Sequence, residues 1–323
     1  MLDKGQLLYE YICHRILVVA TFLSGAEIEA LCTLEEVIAT QEMVFAKHHR
    51  EETVLGPRAV LTQGENAQFS YIARASSDGP TIVKFGTVVP SNSMRGLPAV
   101  QTTVVALDAE SGSPSHFFDG ETVTRLRTVA TSMAVAKRVL PRAKRIAVVG
   151  VGHQGVAHAN AATEIFRPEE LIGISRQAGQ SPASNSSFTS STTDISSLED
   201  CDLAFLCTNS MSPILTSPLA NNSLVVSIGS FAPNRSEVSP ELLSDADHLF
   251  VDDPSISIEQ CGSVRSALSL PKARWNTPEG VGSIFHDEST RISGRSYFFS
   301  VGLGIQDAAL VELLLEKMRG VRR

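Results

Sequence analysis

The chain has 323 residues, 43% of them hydrophobic and 19% charged, with a net charge of -8. That length accommodates two domains with cores of their own, and the composition excludes global disorder. An acidic balance without a dense Lys/Arg stripe excludes a nucleic-acid footprint and leaves local cationic pockets for small anions, so the expected partner is a small molecule. Five cysteines, Cys13, Cys32, Cys201, Cys207 and Cys261, are scattered and contain no CxxC, and the eight histidines show no HExxH. Neither a disulfide framework nor a metal site is expected, and the thiols fit a reducing cytoplasm. The apolar run at residues 16–23 is too short to span a bilayer.

In chain order, residues 17–22 read as a buried strand. Ser24 with Glu27, and Thr33 with Glu36, have capping-box spacing, so two helices follow, the second reaching about residue 46. Residues 59–62, 69–73, 81–85 and 102–107 are short β-rich runs separated by Gly, Pro, Asn and Asp, which predicts an antiparallel or mixed sheet. Residues 121–140 carry apolar side chains at Leu126, Val129, Ala130, Met133, Ala134 and Val139, a helical spacing that Pro141 ends. From Arg145 onward the pattern alternates. Strand candidates at 146–149, 171–175, 203–207, 224–228 and 249–251 are separated by helix-length segments, as in a parallel doubly wound sheet. The Ser/Thr-rich stretch 178–197 reads as a flexible surface excursion, and 305–318 as an amphipathic last helix followed by basic residues. The fold class is α/β: a Rossmann doubly wound parallel sheet together with an α+β domain.

The strongest motif is Arg145-Ile-Ala-Val-Val-Gly150-Val-Gly152-His153-Gln154-Gly155, a GxGxxG that follows an apolar strand and opens an Ala-rich helix. In that context Gly150 permits the tight turn, Gly152 lets a pyrophosphate approach the backbone and Gly155 lets helix and strand pack, while the helix N-terminus offers N–H groups to phosphates. His153 and Gln154 lie in the same turn. At the end of the second strand, where an NAD enzyme carries an acid for the ribose hydroxyl, the sequence has Ser175 and Arg176. An acid would repel a 2′-phosphate and these residues do not, which favours NADPH and leaves NADH open. Thr208 and Asn209 follow the strand candidate 203–207 and Gly229 follows 224–228, where an open α/β sheet lines its ligand crevice.

Three cations stand outside the Rossmann pattern: Arg58 after Gly56-Pro57, Lys84 inside Thr81-Ile-Val-Lys-Phe, and Arg127 early in a helix. Taken alone, a mid-strand lysine reads best as pointing to solvent. Together the three make a candidate clamp for a carboxylate next to an amine or imine.

The segments Lys84-Phe-Gly-Thr-Val-Val-Pro90-Ser-Asn92, Leu107-Asp108-Ala-Glu-Ser-Gly112, Phe118-Asp119-Gly120, Thr124-Arg-Leu-Arg127-Thr128, Gly150-x-Gly152-x-Gln154 and Phe299-Ser-Val-Gly302-Leu-Gly-Ile-Gln-Asp307 resemble the ornithine cyclodeaminase/mu-crystallin family. The resemblance runs from about residue 17 to the end. It implies a homodimer and a division into residues 1–126 with 303–323, for substrate binding and dimerisation, and 127–302, for NAD(P) binding. It further implies that Arg58 and Arg127 hold the substrate carboxylate, that Lys84 acts near the reacting carbon or in proton transfer, and that Thr128, Gln154, Val301 and Gly302 touch the cofactor.

One departure separates activities within that family. Its cyclodeaminases carry an aspartate in Gly-Gly-Asp-x-Pro-Gly, and this chain reads Gly229-Ser230-Phe231-Ala232-Pro233-Asn234. A phenyl ring does no acid/base chemistry. The expected activity is therefore NAD(P)H-dependent reduction of a small cyclic imino acid, as in the Δ1-pyrroline-2-carboxylate reductases. The alternatives are a cyclodeaminase with a relocated acid, an alanine or opine-type dehydrogenase, and a mu-crystallin-like binding protein.

Overall fold

The computed structural model describes residues 20–176, 186–271, 274–287, 289 and 291–321. Cys13, residues 17–19 of the expected first strand, part of the Ser/Thr-rich stretch (178–185) and the basic pair 322–323 lie outside the described residues.

Strand β1 (Thr21–Leu23) leads into α1 (Gly25–Leu31) and α2 (Leu34–His49). Both helices start where their capping spacing puts them. The Glu27 carboxylate accepts from the Ser24 backbone N–H at 2.8 Å, and Glu36 accepts from the Thr33 N–H at 2.9 Å while Thr33 Oγ1 accepts from the Glu36 N–H at 3.3 Å. Then come β2 (Val54–Leu55), β3 (Ala59–Gln63), β4 (Asn66–Arg74), β5 (Thr81–Val88), β6 (Val100–Leu107) and β7 (Pro114–Asp119). These strands form a mixed sheet in the order β1-β7-β6-β5-β4-β2, with β3 also on β4; β1 runs parallel to β7 and the other pairs are antiparallel. Pro57, which has no N–H to donate, falls in the break between β2 and β3.

Asp119 caps α3 (Gly120–Val139) by accepting from the Thr122 N–H at 2.7 Å, and α3 passes into the second sheet. Its elements are β8 (Arg145–Val149), α4 (His153–Phe166), β9 (Glu170–Ile174), β10 (Ser190–Thr192), β11 (Leu203–Leu206), β12 (Leu224–Ser227), α5 (Pro240–Ser244), β13 (His248–Val251), α6 (Pro254–Gln260), α7 (Gly262–Leu268), β14 (Glu279–Gly280), α8 (Gly282–His286) and β15 (Ser296–Phe299). The eight strands are ordered β10-β9-β8-β11-β12-β15-β13-β14, and every pair is parallel. This is the doubly wound α/β fold, with its switch point between β8 and β11. Central strands such as Leu-Ala-Phe-Leu and Ser-Tyr-Phe-Phe are buried throughout because both faces are covered. The last helix, α9 (Gly304–Val321), returns to pack on α2, α3, β4 and β5 of the mixed sheet.

Sequence periodicity missed β7 and β15, and the reading of 178–197 as a surface excursion is corrected at residues 190–192. Those three residues are an edge strand in register with Ile172–Ile174 of β9. A short polar edge strand carries no apolar alternation, so only its partner reveals it.

Period-two alternation divides the mixed sheet into two faces. Tyr71, Ala73, Ile82, Lys84, Val104 and Ala106 point inward under α3 and α9 and are buried. On the other face the register aligns Ile72, Val83, Val105, Phe117 and Phe22 in one row across five strands, with Phe85 and Leu61 beside it. Phe22, Leu61, Ile72 and Phe85 are 57, 71, 52 and 47% exposed, so this apolar face lacks a cover within the described chain.

Candidate active site

Two sets of groups meet along the C-terminal ends of the parallel strands. The first is the β8–α4 turn. Gly150 has φ +94°, and a Cβ there would lie 2.5 Å from the Cys207 carbonyl; a Cβ on Gly155 would lie 1.8 Å from the Gly150 carbonyl. A Cβ on Gly152 would meet nothing within 4 Å, so the turn is open just where the first N–H groups of α4 have no intrahelical acceptor. Gln154 directs a buried Oε1 that has no hydrogen-bond partner among the described residues, whereas the His153 side chain is 94% exposed. Below the turn, buried His158 bridges Gln154 O (2.7 Å, Nδ1) and Ser132 Oγ (2.9 Å, Nε2). Because a carbonyl only accepts, Nδ1 carries the proton, and burial pushes the imidazole down to about 4, so it is neutral. That bond ties α4 to α3 near buried Thr128, whose Oγ1 donates to Thr124 O at 2.6 Å. Ser175 and exposed Arg176 follow β9 at the same edge of the sheet.

The next loops are held by carboxylates that sequence reasoning missed. Glu237 is fully buried. It accepts from Thr208 N (2.8 Å), Thr208 Oγ1 (2.6 Å), Gly229 N (2.9 Å) and Ser227 Oγ (2.7 Å), clamping the turns after β11 and β12 together. Burial raises its carboxyl and these donors oppose the rise. Asn209 Oδ1 accepts from Arg235 at 2.7 Å, and the Arg235 guanidinium lies 4.5 Å from the centre of the Phe231 ring. No carboxylate stands at position 231.

Asp252, at the end of β13, accepts from Val301 N and Gly302 N, both at 2.8 Å, and from Ser300 Oγ at 3.0 Å. Its Oδ1 is buried and has no hydrogen-bond partner among the described residues. Burial pushes this carboxyl up to about 6 against the pull of those donors and of Arg127. An Asp-Asp pair closing an apolar strand was the available sequence signal, because an acid at such a strand end faces the crevice.

The second set is the cation cluster, and the structure brings all three members together. Lys84 faces inward, 2% exposed; its Nζ donates to Asp307 Oδ1 at 2.9 Å and to Thr124 Oγ1 at 2.5 Å. The inward face of β5 decides this, since Lys84 shares it with buried Ile82 and Gly86. Arg127, 8% exposed, has Nε 3.6 Å from Asp307 Oδ1 and Nη1 3.3 Å from Gln306 Oε1. Arg58, from the β2–β3 break, donates to the Gly302 carbonyl at 2.8 Å and lies 5.5 Å from the centre of the Tyr71 ring. Tyr71 donates its hydroxyl to Asp307 Oδ2 at 2.6 Å. Gly302, φ +80°, is the meeting point of both sets, because a Cβ there would lie 2.9 Å from Arg127 Nη2. Burial, with the nearby arginines, takes Lys84 down to about 8 against the pull of Asp307. Burial pushes Asp307 up, but Lys84, Arg127 and Tyr71 outweigh it and hold the carboxyl below its ordinary range. Tyr71 is raised well above its usual value by burial and by Asp307, so it remains a phenol.

A doubly wound α/β fold with a glycine turn of this kind, and a cluster of cations beside the same strand ends, defines a dinucleotide-binding fold. The chain belongs to the ornithine cyclodeaminase/mu-crystallin family, whose model matches residues 18–321. It is 27% identical over 293 residues to Delta(1)-pyrroline-2-carboxylate reductase 2 of Burkholderia ambifaria, covering 88% of this chain and 92% of that one. Iminosuccinate reductase of Paracoccus denitrificans is 27% identical over 314 residues, 91% of this chain and 96% of that one. Among solved structures, Thermococcus litoralis Delta(1)-pyrroline-2-carboxylate reductase in complex with NADH and L-proline superposes with a TM-score of 0.83 at 19% identity, covering 94% and 98% of the two chains.

The buried Asp252 carboxyl carries a stability consequence. Its folded value, about 6, lies above its ordinary 3.8, so the folded state holds the proton more tightly than the unfolded one. This group's contribution is fully present below pH ~4 and is lost as pH rises through ~6. In urea unfolding across that window, Asp252→Asn is expected to remove a pH-dependent component of about 3 kcal/mol relative to wild type. Identical pH slopes for the two proteins would contradict this.

Proposed function

We propose that this protein reduces the C=N bond of a small cyclic imino acid, of the Δ1-pyrroline-2-carboxylate type, to the amino acid with a nicotinamide dinucleotide. The observation that carries the reading is the charge count at the pocket. Lys84 and Arg127 stand against Asp307, Arg127 also acts on Asp252, and half-buried Arg58 adds its charge beside Lys84 from the Gly302 carbonyl, three cations against two carboxylates. Like charges held this close repel unless neutralised, so the surplus positive charge at half-buried Arg58 calls for one carboxylate from the substrate. A monocarboxylate satisfies it, which favours the cyclic imino acid over a dicarboxylate. The similarity to reductases of Burkholderia and Bacillus across about nine-tenths of the chain points the same way.

In this reading Arg58 and Arg127 pair with the substrate carboxylate and orient the ring, and Lys84 delivers the proton to the imine nitrogen. Binding an anion beside Lys84 raises the lysine's proton affinity, so the substrate itself favours the ammonium form needed for donation. The dinucleotide is assigned to the open turn at Gly150, Gly152, His153, Gln154 and Gly155, with Thr128, Ser175, Arg176, Thr208, Asn209, Gly229, Val301 and Gly302 around it. The room at Gly152, the first N–H groups of α4 and the unpartnered Gln154 Oε1 fit a phosphate-bearing ligand. When bound, its reduced form supplies the hydride to the imine carbon. Residues 127–302 form the dinucleotide unit, and 1–126 with 303–323 the substrate and dimerisation unit. Free Cys32, Cys201, Cys207 and Cys261 fit a cytoplasmic setting.

Purified protein should oxidise NADPH in the presence of Δ1-pyrroline-2-carboxylate and release no ammonia from ornithine with the oxidised cofactor. Phe231, 39% exposed, offers no group to manage protons on nitrogen, a role typically worth about 10²–10⁴-fold. Robust conversion of ornithine to proline would overturn the assignment.

NADPH should bind more tightly than NADH, because Ser175 and Arg176 follow β9 where an acid would repel the 2′-phosphate. Titration of Arg176→Ala should narrow that preference roughly tenfold, as expected for one charge-assisted contact of about 1.5 kcal/mol. NADH binding as tight as NADPH in the wild type would refute it.

The homodimer is assigned to the outer face of the mixed sheet, where Phe22, Ile72 and Phe85 form an exposed apolar band of the kind that marks an interface. Sedimentation should give twice the monomer mass, and Ile72→Asp with Phe85→Asp should give monomers. A wild type that sediments as a monomer at micromolar concentration would rule the dimer out.

A further inference from the structure

We propose that Asp307, with Thr124, is a positioning pair that holds Lys84 so that one ammonium proton, and one only, is left for the substrate. The inference rests on Lys84 being the proton donor, as proposed above, and assigns a role to a residue on the last helix of the chain.

The argument begins with the hydrogens. Thr124 Oγ1 lies 2.5 Å from the Gly120 carbonyl, which only accepts, so the hydroxyl proton is committed there and Oγ1 must accept from Lys84 Nζ. Asp307 Oδ1 accepts a second proton of Nζ at 2.9 Å. An ammonium has three protons and a neutral amine has two. Two are therefore engaged in either state, and the third position of Nζ alternates between a proton and a lone pair. That is the arrangement a general acid needs: fixed in direction whatever its charge.

Asp307 is itself fixed. It is fully buried, its Oδ2 takes the Tyr71 hydroxyl at 2.6 Å, and Arg127 Nε stands 3.6 Å from Oδ1. The charged and titratable groups facing Lys84 are then Tyr71 from β4, Arg58 from the β2–β3 break, Arg127 from α3 and Asp307 from α9, with Asp252 beyond Arg127. Among them Asp307 is the anion in contact with Nζ. It alone directly offsets burial and the two arginines, which together drive the lysine toward the neutral amine. In the reaction the ammonium proton goes to the imine nitrogen while the hydride, with its two electrons, goes from the reduced dinucleotide to the imine carbon. The C=N double bond becomes CH–NH, the dinucleotide is oxidised, and Lys84 is left as an amine that regains a proton from water.

The sign follows from the role. A donor works protonated, so kcat/KM for Δ1-pyrroline-2-carboxylate falls as pH rises through the Lys84 value, about 8 in the free protein. Asp307→Asn keeps an oxygen acceptor for Nζ and removes the charge. The alkaline limb of the profile should then move to lower pH by about 1–3 units, the effect of losing an opposite charge at contact distance. Asp307→Glu, which restores the charge, should return the limb close to wild type. Thr124→Val should lower kcat roughly tenfold or more with KM nearly unchanged, and shift the limb the same way by less. Dinucleotide binding and the unfolding midpoint report whether each variant is folded; should Asp307→Asn fail to fold, Thr124→Val decides. A folded Asp307→Asn, or in its absence Thr124→Val, with the limb unmoved overturns the inference. Lys84→Ala separates the two levels. If it loses the limb while Asp307→Asn keeps it, the positioning role alone is wrong; if it retains the wild-type limb, the proton-donor reading itself falls.

Discussion

Burying Lys84 and Arg127 within reach of one another is unfavourable, and this protein does it around the fully buried carboxylate of Asp307. Asp307 accepts from Lys84 and Tyr71 and stands against Arg127, and Oε1 of the neighbouring Gln306 accepts from the Leu303 backbone N–H at 2.6 Å. The constraint reaches far along the chain, because Asp307 lies on the last helix while its partners come from β4, β5 and α3. Helix α9 must return to the mixed sheet for the cluster to exist, and the strand β15 that precedes it must run in the centre of the parallel sheet. The pocket charge and the connection between the two sheets are thus one structural requirement.

The loops that complete the crevice depend on a second use of the same device. Glu237 and Asp252 are buried acids whose donors are mainly backbone N–H groups of the turns after β11, β12 and β15. Each replaces water for groups that a parallel sheet leaves unpaired beyond its strand ends. Such carboxylates are costly to bury, and the hydrogen bonds offset much of that cost by fixing turns that would otherwise sample several conformations. Turns held this way keep one arrangement at the strand ends, which in the function proposed above is the preorganisation that hydride transfer requires.

Membership of the family and the identity of position 231 work at different levels. The match over residues 18–321 sets the fold and the order of its elements. Within that frame, the Phe231 ring lies against the Arg235 guanidinium, so the loop after β12 offers no side-chain acid at that position. In the function proposed above, the cation cluster holds the imino acid, and the lack of a carboxylate at 231 favours reduction of a ready-made imine over oxidation followed by ammonia loss.

The sequence by itself determined the doubly wound sheet, since strands buried on both faces must be continuously apolar and their βα turn must carry glycines at Gly150 and Gly155, where a Cβ would strike backbone. It also determined the helix starts at Ser24 and Thr33, because capping is a contact three residues long. Lys84 shows where such local reading ends. A mid-strand lysine points to solvent or to the core according to which face of the sheet another element covers, and α3 and α9 decide that from 40 and 223 residues away. The polar edge strand β10 stayed hidden for the same reason, as did the roles of Tyr71, Glu237, Asp252 and Asp307: burial and partnership of a polar group are properties of tertiary neighbours, and no local period in the chain encodes them.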